Sequence, residues 1–169
     1  MSTVLDFILG SSYPEEIAYV YTGGTAAHNL LKIKKELAKK DLTKTEETKL
    51  KKEAKALKAA LDETRLEFHF KGLSPAARDT IFSAVEAKAE ENEWDEKEKA
   101  EQLTGHLYAA VIDKVLGPDG NVMEQKWTPE AIIEMFKALP EGATADFIEK
   151  ANTVTVRAVD FDKAHDVGF

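Results

Sequence analysis

The chain has 169 residues, 32% of them charged and 43% hydrophobic, with a formal net charge of −8 at pH 7, a balance typical of a folded protein and not of a disordered one. It contains no cysteine, which excludes disulfides and thiolate-bound metals. No run approaches about 18 apolar residues and residues 1–10 lack the basic start of a signal peptide, so we expect neither a membrane span nor a secretory leader.

The first predicted element is a strand over residues 16–22. Ile17, Tyr19 and Tyr21 share one face of it, because side chains alternate along a strand with a period of two. A Gly-Gly pair at residues 23–24 then interrupts the pattern, so the strand is expected to end there.

Two charged helices are predicted next, over about residues 26–40 and 44–64. Thr25 is the expected N-cap of the first helix, and Thr43 with Glu46 forms a Thr-x-x-Glu capping box at the start of the second. The apolar residues of each helix fall on one side at three- and four-residue spacing: Leu30, Ile33 and Leu37 in the first, and Leu50, Ala54, Leu57 and Leu61 in the second. Because the connection is very short, we predict an antiparallel helical hairpin that projects in part from the body.

A second strand is predicted over residues 65–71, where Leu66, Phe68 and Phe70 alternate with polar residues and are expected to point inward. A helical hairpin returns the chain to the place where it left, so the strands on either side of the hairpin should pair in antiparallel fashion. A two-stranded ribbon is only marginally stable alone, and we therefore expect it to pack on helices.

Four further helices are predicted after residue 73. Three of them begin at recognisable caps: Ser74-Pro75, Asp95 with Glu98, and Thr128-Pro129. The second of the four, extending to about Leu116, has the widest apolar stripe and is expected to form the centre of the C-terminal core. A last short helix is predicted from Thr144, and the chain from Asn152 onward is expected to be extended.

The expected fold class is therefore mainly α with a small antiparallel β-ribbon, in which a charged helical hairpin is inserted between two strands and a helical bundle follows. Residues 1–73 are predicted to form the ribbon and the hairpin (about residues 25–64). Residues 74–152 are predicted to form a helical domain, and residues 153–169 an extended acidic tail.

The sequence contains no phosphate-binding glycine loop, nucleophile elbow or paired metal ligands at helical spacing. The nearest approach to a metal cluster lies in the predicted tail: Asp160, Asp162, His165 and Asp166. We expect this group not to hold a divalent ion, and we predict no enzymatic activity, no cofactor and no catalytic or metal site.

The charge is distributed unevenly along the chain. Residues 32–71 carry thirteen Lys/Arg against eight Asp/Glu, a net +5, so the remainder carries −13. The hairpin charges are typical of a solvated surface, but such asymmetry can also steer an acidic helix, or even RNA, toward the hairpin. The lysines are interleaved with carboxylates and no aromatic residues lie between them for base stacking, which disfavours nucleic acid as a partner.

The order of these features resembles that of the tail assembly chaperones encoded by long-tailed phages. A strand preceded by a proline (Pro14-Glu-Glu-Ile-Ala-Tyr-Val-Tyr) comes first, and a Lys/Glu-rich helical pair ends in Leu66-Glu-Phe-His-Phe-Lys-Gly-Leu-Ser-Pro75. A helix start at Thr128-Pro129-Glu130 and a terminal segment, Phe147-Ile148-Glu149-Lys150-Ala151-Asn152, follow. The resemblance covers roughly residues 14–160 and consists of patterns, without fixed functional residues.

The resemblance implies a non-catalytic protein of the host cell cytoplasm that is absent from the mature virion. Such chaperones bind the long helical tape measure protein and keep it soluble while tail tube subunits polymerise around it, and in many phages a longer, frameshifted form recruits the tube protein. The expected partners are therefore the tape measure protein and the tail tube protein. The apolar residues that we consider for this contact are Leu50, Leu57, Leu61, Phe68, Phe70 and Phe82, for each of which burial in the chain's own core is the competing interpretation.

Two other functions fit the same sequence. The chain could be a structural component of a phage particle, such as a minor tail or head–tail protein, which predicts its presence in purified virions. It could instead be a regulatory module that uses the basic hairpin on nucleic acid, which predicts binding that weakens steeply with salt. The chaperone hypothesis predicts a stable complex with a helical partner, and a homo-oligomer formed through the hairpin is a further expectation.

Overall fold

The computed structural model describes residues 13–155, which contain three strands and six helices. In chain order they are β1 (Glu15–Tyr21), α1 (Gly24–Leu37), α2 (Lys44–Asp62), β2 (Arg65–Lys71), α3 (Pro75–Glu91), α4 (Glu96–Val111), β3 (Ile112–Leu116), α5 (Pro129–Ala138) and α6 (Glu141–Thr155). The protein is thus mainly helical with a small antiparallel sheet, as the sequence predicted.

The sheet has the order β1–β2–β3, and both pairs of neighbours are antiparallel. Ala18 lies opposite Phe68 in the first pair, which confirms the predicted pairing of the two strands around the hairpin. The third strand was not predicted. The helix expected to continue to Leu116 ends at Val111, and the chain then pairs with β2, placing Val115 opposite Phe68.

The inner face of β1 is formed by its small residues. Ala18 and Val20 are fully buried, whereas Ile17 is 42% and Tyr19 is 37% exposed. Ile17 and Tyr19 therefore do share a face, as predicted, but this face is turned to solvent. The physical reason is the bulk of Phe68 across the strand pair, which fills the space beside Ala18.

The core is built around an aromatic cluster with Phe147 at its centre. The Phe147 ring lies edge-on to Phe68 and Phe70, both with centroids 4.9 Å away, and to Phe136 at 5.6 Å and Tyr108 at 5.7 Å. Edge-to-face pairs of this kind add about 0.5–1.5 kcal/mol each to the area they bury. Because the cluster joins the sheet to α4, α5 and α6, the boundary predicted near residue 73 does not separate two cores.

The C-terminal helix is longer than predicted at both ends. It begins at Glu141 and extends to Thr155, so the prediction of an extended chain from Asn152 is wrong for residues 152–155. Thr155 is buried, its hydroxyl donates to the Ala151 carbonyl oxygen at 2.8 Å, and Arg78 Nη1 donates to the Thr155 carbonyl oxygen at 3.2 Å. The rest of the predicted tail, with its acidic cluster, lies outside the described residues.

The helical hairpin is present, and its second helix begins at the predicted capping box. The Thr43 hydroxyl accepts from the Glu46 amide at 3.2 Å, and the Glu46 carboxylate accepts from the Thr43 amide at 2.9 Å. The predicted cap at Thr25 is wrong, since α1 begins two residues earlier than predicted, with Gly23 as its N-cap. The two helices pack on each other and make only weak contacts with the other elements, so the hairpin projects from the body.

Candidate functional site

The six residues predicted to contact a partner lie in three different places. Phe68 and Phe70 are 0% and 1% exposed, because their side of β2 faces α6. They are core residues and do not form a docking surface, so this part of the predicted set is corrected. Phe82 is 43% exposed on α3, one residue away from Ile81, which packs against the core.

The remaining three, Leu50, Leu57 and Leu61, lie on α2 and form with Ala54 the apolar row of the hairpin. All four are half-buried, and no residue of α2 is fully buried. Each is covered from one side by α1 alone, because no other element packs closely on the hairpin. We call this row, with its counterpart on α1, the leucine seam. The seam is an apolar surface that a further helix could cover.

The counterpart on α1 is equally incomplete. Ile33 is the only buried residue of that helix, with 6% exposure, and Leu30 and Leu37 are half-buried. Leu31 points away from the seam and is 58% exposed. Two helices can shield only the part of a seam that lies between them, so both long edges of this seam remain accessible.

Lysines are concentrated on one of the two edges of the seam. Each residue along an α-helix is rotated by about 100° from the one before it, so residues just after and just before a seam position lie on opposite edges. On α2, the residues that follow Leu50, Ala54, Leu57 and Leu61 are Lys51, Lys55, Lys58 and Asp62, whereas Lys49 and Glu53 precede Leu50 and Ala54.

On α1, Lys34 follows Ile33, whereas Lys32 precedes Ile33 and Glu36 precedes Leu37. Two antiparallel helices are related by a twofold axis that is perpendicular to the plane containing both helices. This rotation places each helix on the other, but a residue on one edge of the pair stays on that edge. Lys34 therefore shares an edge with the lysines of α2, and Glu36 shares an edge with Glu53. We call the two edges the lysine edge (Lys34, Lys44, Lys51, Lys55 and Lys58) and the glutamate edge (Glu36, Glu46 and Glu53).

Two of the three carboxylates of the glutamate edge already have partners within the chain. Glu36 accepts from Lys39 Nζ at 2.6 Å, and this hydrogen bond and ion pair raise the pKa of Lys39. Glu46 belongs to the capping box, where its hydrogen bonds with the side chain and backbone of Thr43 lower its pKa. Both carboxylates are therefore committed to local helix contacts.

The lysine edge is largely unpaired. Lys51 forms an ion pair with Glu47 one turn earlier on α2. Among residues 13–155, the other four lysines of this edge have no salt-bridge partner. Glu47 and Asp62 also lie on this side of α2, so the edge carries five lysines against two carboxylates. This excess of positive charge beside half-buried leucines suits a negatively charged amphipathic helix.

A second candidate surface is the open face of the sheet. Ile17 and Tyr19 lie on it, beside a shallow depression of about 580 Å³. The Arg65 guanidinium lies 5.0 Å from the centre of the Tyr19 ring, and His69 Nε2 is 2.7 Å from Glu67 Oε1. Arg65, Glu67 and His69 thus already have side-chain contacts within the chain.

The free edge of the sheet beside β1 is blocked. The Tyr19 amide donates to Asp146 Oδ2 of α6 at 2.7 Å, and Lys150 Nζ lies 3.4 Å from Glu16 Oε2. A carboxylate that takes up an edge amide prevents a further strand from pairing there. Partner binding by strand addition is therefore disfavoured at this edge.

Neither a metal-ligand cluster nor a membrane-spanning helix is present in the part of the chain that the structure describes. Residues 13–155 contain no group of three or more His, Asp or Glu side chains placed to hold a metal ion. Among the same residues, no helix is both long enough and apolar enough to cross a bilayer. The cluster at residues 160–166 lies outside this range.

Comparison with protein-family models, curated proteins and solved structures finds no match to this chain.

The sequence predicted the leucine seam but not the sign of its edges. The signal was present, because the residues after Ile33, Leu50 and Leu57 are all lysines. The net charge of residues 32–71 does not show this pattern, because it sums the lysines of one edge with the glutamates of the other. The pattern becomes interpretable only when the antiparallel pairing fixes which positions of the two helices lie together.

Proposed function

We propose that this protein is a phage tail assembly chaperone, which binds the helical tape measure protein without catalysing a reaction and keeps it soluble during assembly of the tail tube. The observation that carries the proposal is the projecting hairpin, whose leucine seam is half-covered and which contacts the body only weakly. The order of elements that resembles this family supports it further.

The geometry of the hairpin suits a helical partner. Helix α2 has 19 residues, a length of about 28 Å, so its seam can follow a partner helix for about five turns. A tape measure protein is a long helix with apolar stripes that would aggregate if they stayed bare. Packing such a stripe against the seam would bury apolar surface on both molecules, which favours the complex by roughly 25 cal/mol per Å².

The proposal includes the surroundings in which the chain acts. It places the protein in the host cell cytoplasm during assembly and not in the mature virion. The tail tube protein is a second partner in this proposal, reached when the loaded complex meets polymerising tube subunits.

Co-expression with the proteins encoded by neighbouring genes tests the proposal. Pull-down on the full chain should recover a large helical protein that is insoluble when expressed alone. The double variant Leu50→Ser and Leu57→Ser should lose most of this recovery, whereas Phe82→Ser, which alters a more exposed apolar residue on the body, should keep it. Far-UV circular dichroism would establish that the hairpin remains helical in both variants.

Two results would contradict the proposal. One is failure of the chain to bind or solubilise tape measure segments under these conditions. The other is its detection by mass spectrometry as a stoichiometric component of purified virions, which would establish the structural alternative.

A further inference from the structure

We infer that the lysine edge of the hairpin is the docking site for a single amphipathic helix whose apolar stripe is bordered by carboxylates. The inference rests on the proposed function, because it names the edge that is used and the chemistry of the helix that is bound. The helix would lie in the groove along this edge and complete a three-helix bundle with α1 and α2.

The charges favour the lysine edge over the glutamate edge. Four of its five lysines are without an ion-pair partner among residues 13–155, whereas Glu36 and Glu46 on the other edge are bound locally. A carboxylate-bordered helix placed on the lysine edge would therefore gain several new ion pairs without breaking existing ones. On the glutamate edge the same helix would meet like charges, which disfavours it.

The spacing of the lysines fits a helix as the partner. Lys44, Lys51 and Lys58 are seven residues apart, so their positions repeat about every 10.5 Å along α2. Carboxylates that recur every seven residues beside the stripe of a second helix would have the same repeat. Half-buried Leu30 of α1 supplies apolar contact beside the charges.

The test uses the full chain and two synthetic peptides of about 28 residues, four heptads each. Both peptides carry the same leucine stripe, which is bordered by glutamates in one and by lysines in the other. Binding is measured by fluorescence anisotropy of the labelled peptides. We expect the glutamate peptide to bind, the lysine peptide to bind at least about tenfold more weakly, and the difference to shrink between about 50 and 300 mM salt.

Matched charge reversals on the protein locate the binding edge. The triple variant Lys51→Glu, Lys55→Glu and Lys58→Glu alters the lysine edge. The control Lys32→Glu, Lys49→Glu and Lys52→Glu changes the net charge of the same hairpin by the same amount on its other surfaces. We expect the first variant to weaken binding of the glutamate peptide at least about tenfold and the control to weaken it less than about threefold.

Binding of the lysine peptide to the charge-reversed variant distinguishes a change in electrostatic attraction from damage to the fold. The triple reversal on the lysine edge should gain affinity for the lysine peptide, which an unfolded hairpin could not do. A milder variant, Lys51→Gln, Lys55→Gln and Lys58→Gln, should give intermediate affinity for the glutamate peptide, because it removes attraction without adding repulsion.

Three outcomes would overturn the inference: equal weakening by the two triple variants, equal affinity for the two peptides, or binding of single-stranded RNA at these lysines in place of either peptide. Its failure can be told from failure of the proposed function. If the tape measure protein still co-purifies with the lysine-edge variant as it does with the control, the chaperone proposal stands and this docking site is wrong. If no tape measure protein is recovered with the unaltered chain, the chaperone proposal fails whatever the peptides show.

Discussion

The body and the hairpin of this protein are stabilised in different ways. In the body, Phe68, Phe70 and Phe147 are at most 1% exposed, and the Phe147 ring lies edge-on to the other two. In the hairpin, α2 has no fully buried residue, and its order depends on a capping box, good helix formers and a half-covered seam. The body therefore gains its stability from long-range burial, and the hairpin gains its stability chiefly from local interactions.

This difference explains why the hairpin is the better candidate for binding. A surface that is already buried can meet a partner only if the fold opens, and this costs much of the stability of the domain. A half-covered seam can gain burial without any loss elsewhere. Regions with few buried contacts also open locally at low free-energy cost, which makes them adaptable to a partner helix.

The sharpest contrast is expected from truncating an apolar side chain in each region. Phe147→Ala should lower the free energy of unfolding by about 3–5 kcal/mol, because it empties the centre of the aromatic cluster. Leu57→Ala should cost about 1 kcal/mol, because only part of that side chain leaves water on folding. Chemical denaturation followed by tryptophan fluorescence would measure the difference, and equal losses would show that the hairpin is part of the cooperative core.

Two glycine-to-alanine substitutions, one in each region, should change the free energy of unfolding in opposite directions. A Cβ at Gly105 would lie 3.0 Å from Ile133 Cγ1 and 3.0 Å from the Pro129 carbonyl oxygen, so Gly105→Ala should destabilise the body by about 1–3 kcal/mol. A Cβ at Gly24 would meet nothing within 4 Å, so Gly24→Ala should stabilise the start of α1 by about 0.4–1 kcal/mol. Thermal unfolding of both variants checks the signs, and destabilisation by Gly24→Ala would contradict the open environment of α1.

The parts of the fold that the sequence predicted are those fixed by local chemistry. Helix N-caps are short-range signals, and four predicted ones begin a helix in the structure: the capping boxes at Thr43 and Asp95 and the caps Ser74 and Thr128. The pairing of β1 with β2 also followed from the chain alone, since a two-helix excursion returns it beside its starting point.

The missed features depend on contacts between distant residues. Val111 and Val115 continue the four-residue spacing of the apolar residues in α4. The sequence pattern therefore predicted a continuing helix where the structure has β3. The strand forms there because β2 has a free edge, and the β-branched residues of this segment pack well within a sheet. Val154 and Thr155 likewise favour a strand by composition, but both are buried as part of α6.

The candidate site was predicted in the same uneven way. The seam leucines of α2 were identified from their spacing, which is local. The inward orientation of Phe68 and Phe70 was likewise predicted from their alternation along β2, and both are buried. The uneven charge of the two hairpin edges was not predicted, because it depends on how α1 pairs with α2.

The base of the hairpin, where the two regions join, offers a smaller and more local test. The Thr64 hydroxyl accepts from the Gly23 amide at 2.9 Å and donates to the Leu61 carbonyl oxygen at 2.8 Å. Thr64→Val keeps the shape and removes both bonds, and it should cost about 1 kcal/mol. Hydrogen exchange should quicken at the ends of α1 and α2 while the β2 amides stay protected. The control is Thr22→Val, which removes only the 3.4 Å hydrogen bond from the Thr22 hydroxyl to the Thr64 carbonyl oxygen. An equal effect of the two variants would show that the Thr64 hydroxyl does not stabilise the base of the hairpin.

The smallest expected effect is a dependence of body stability on pH through His106. Burial lowers the pKa of His106 below its ordinary value of 6.5, Lys88 lowers it further, and Glu130 opposes the shift. Because the unfolded chain then takes up this proton more readily than the folded one, the contribution is present above about pH 6.5 and is lost as the pH falls. His106→Gln should therefore flatten the decline of the melting temperature between about pH 7.5 and 5, and Glu130→Gln should steepen it by removing the charge that favours the imidazolium. If both variants shift this slope in the same direction, the electrostatic assignment is wrong and the acid sensitivity of the body originates elsewhere.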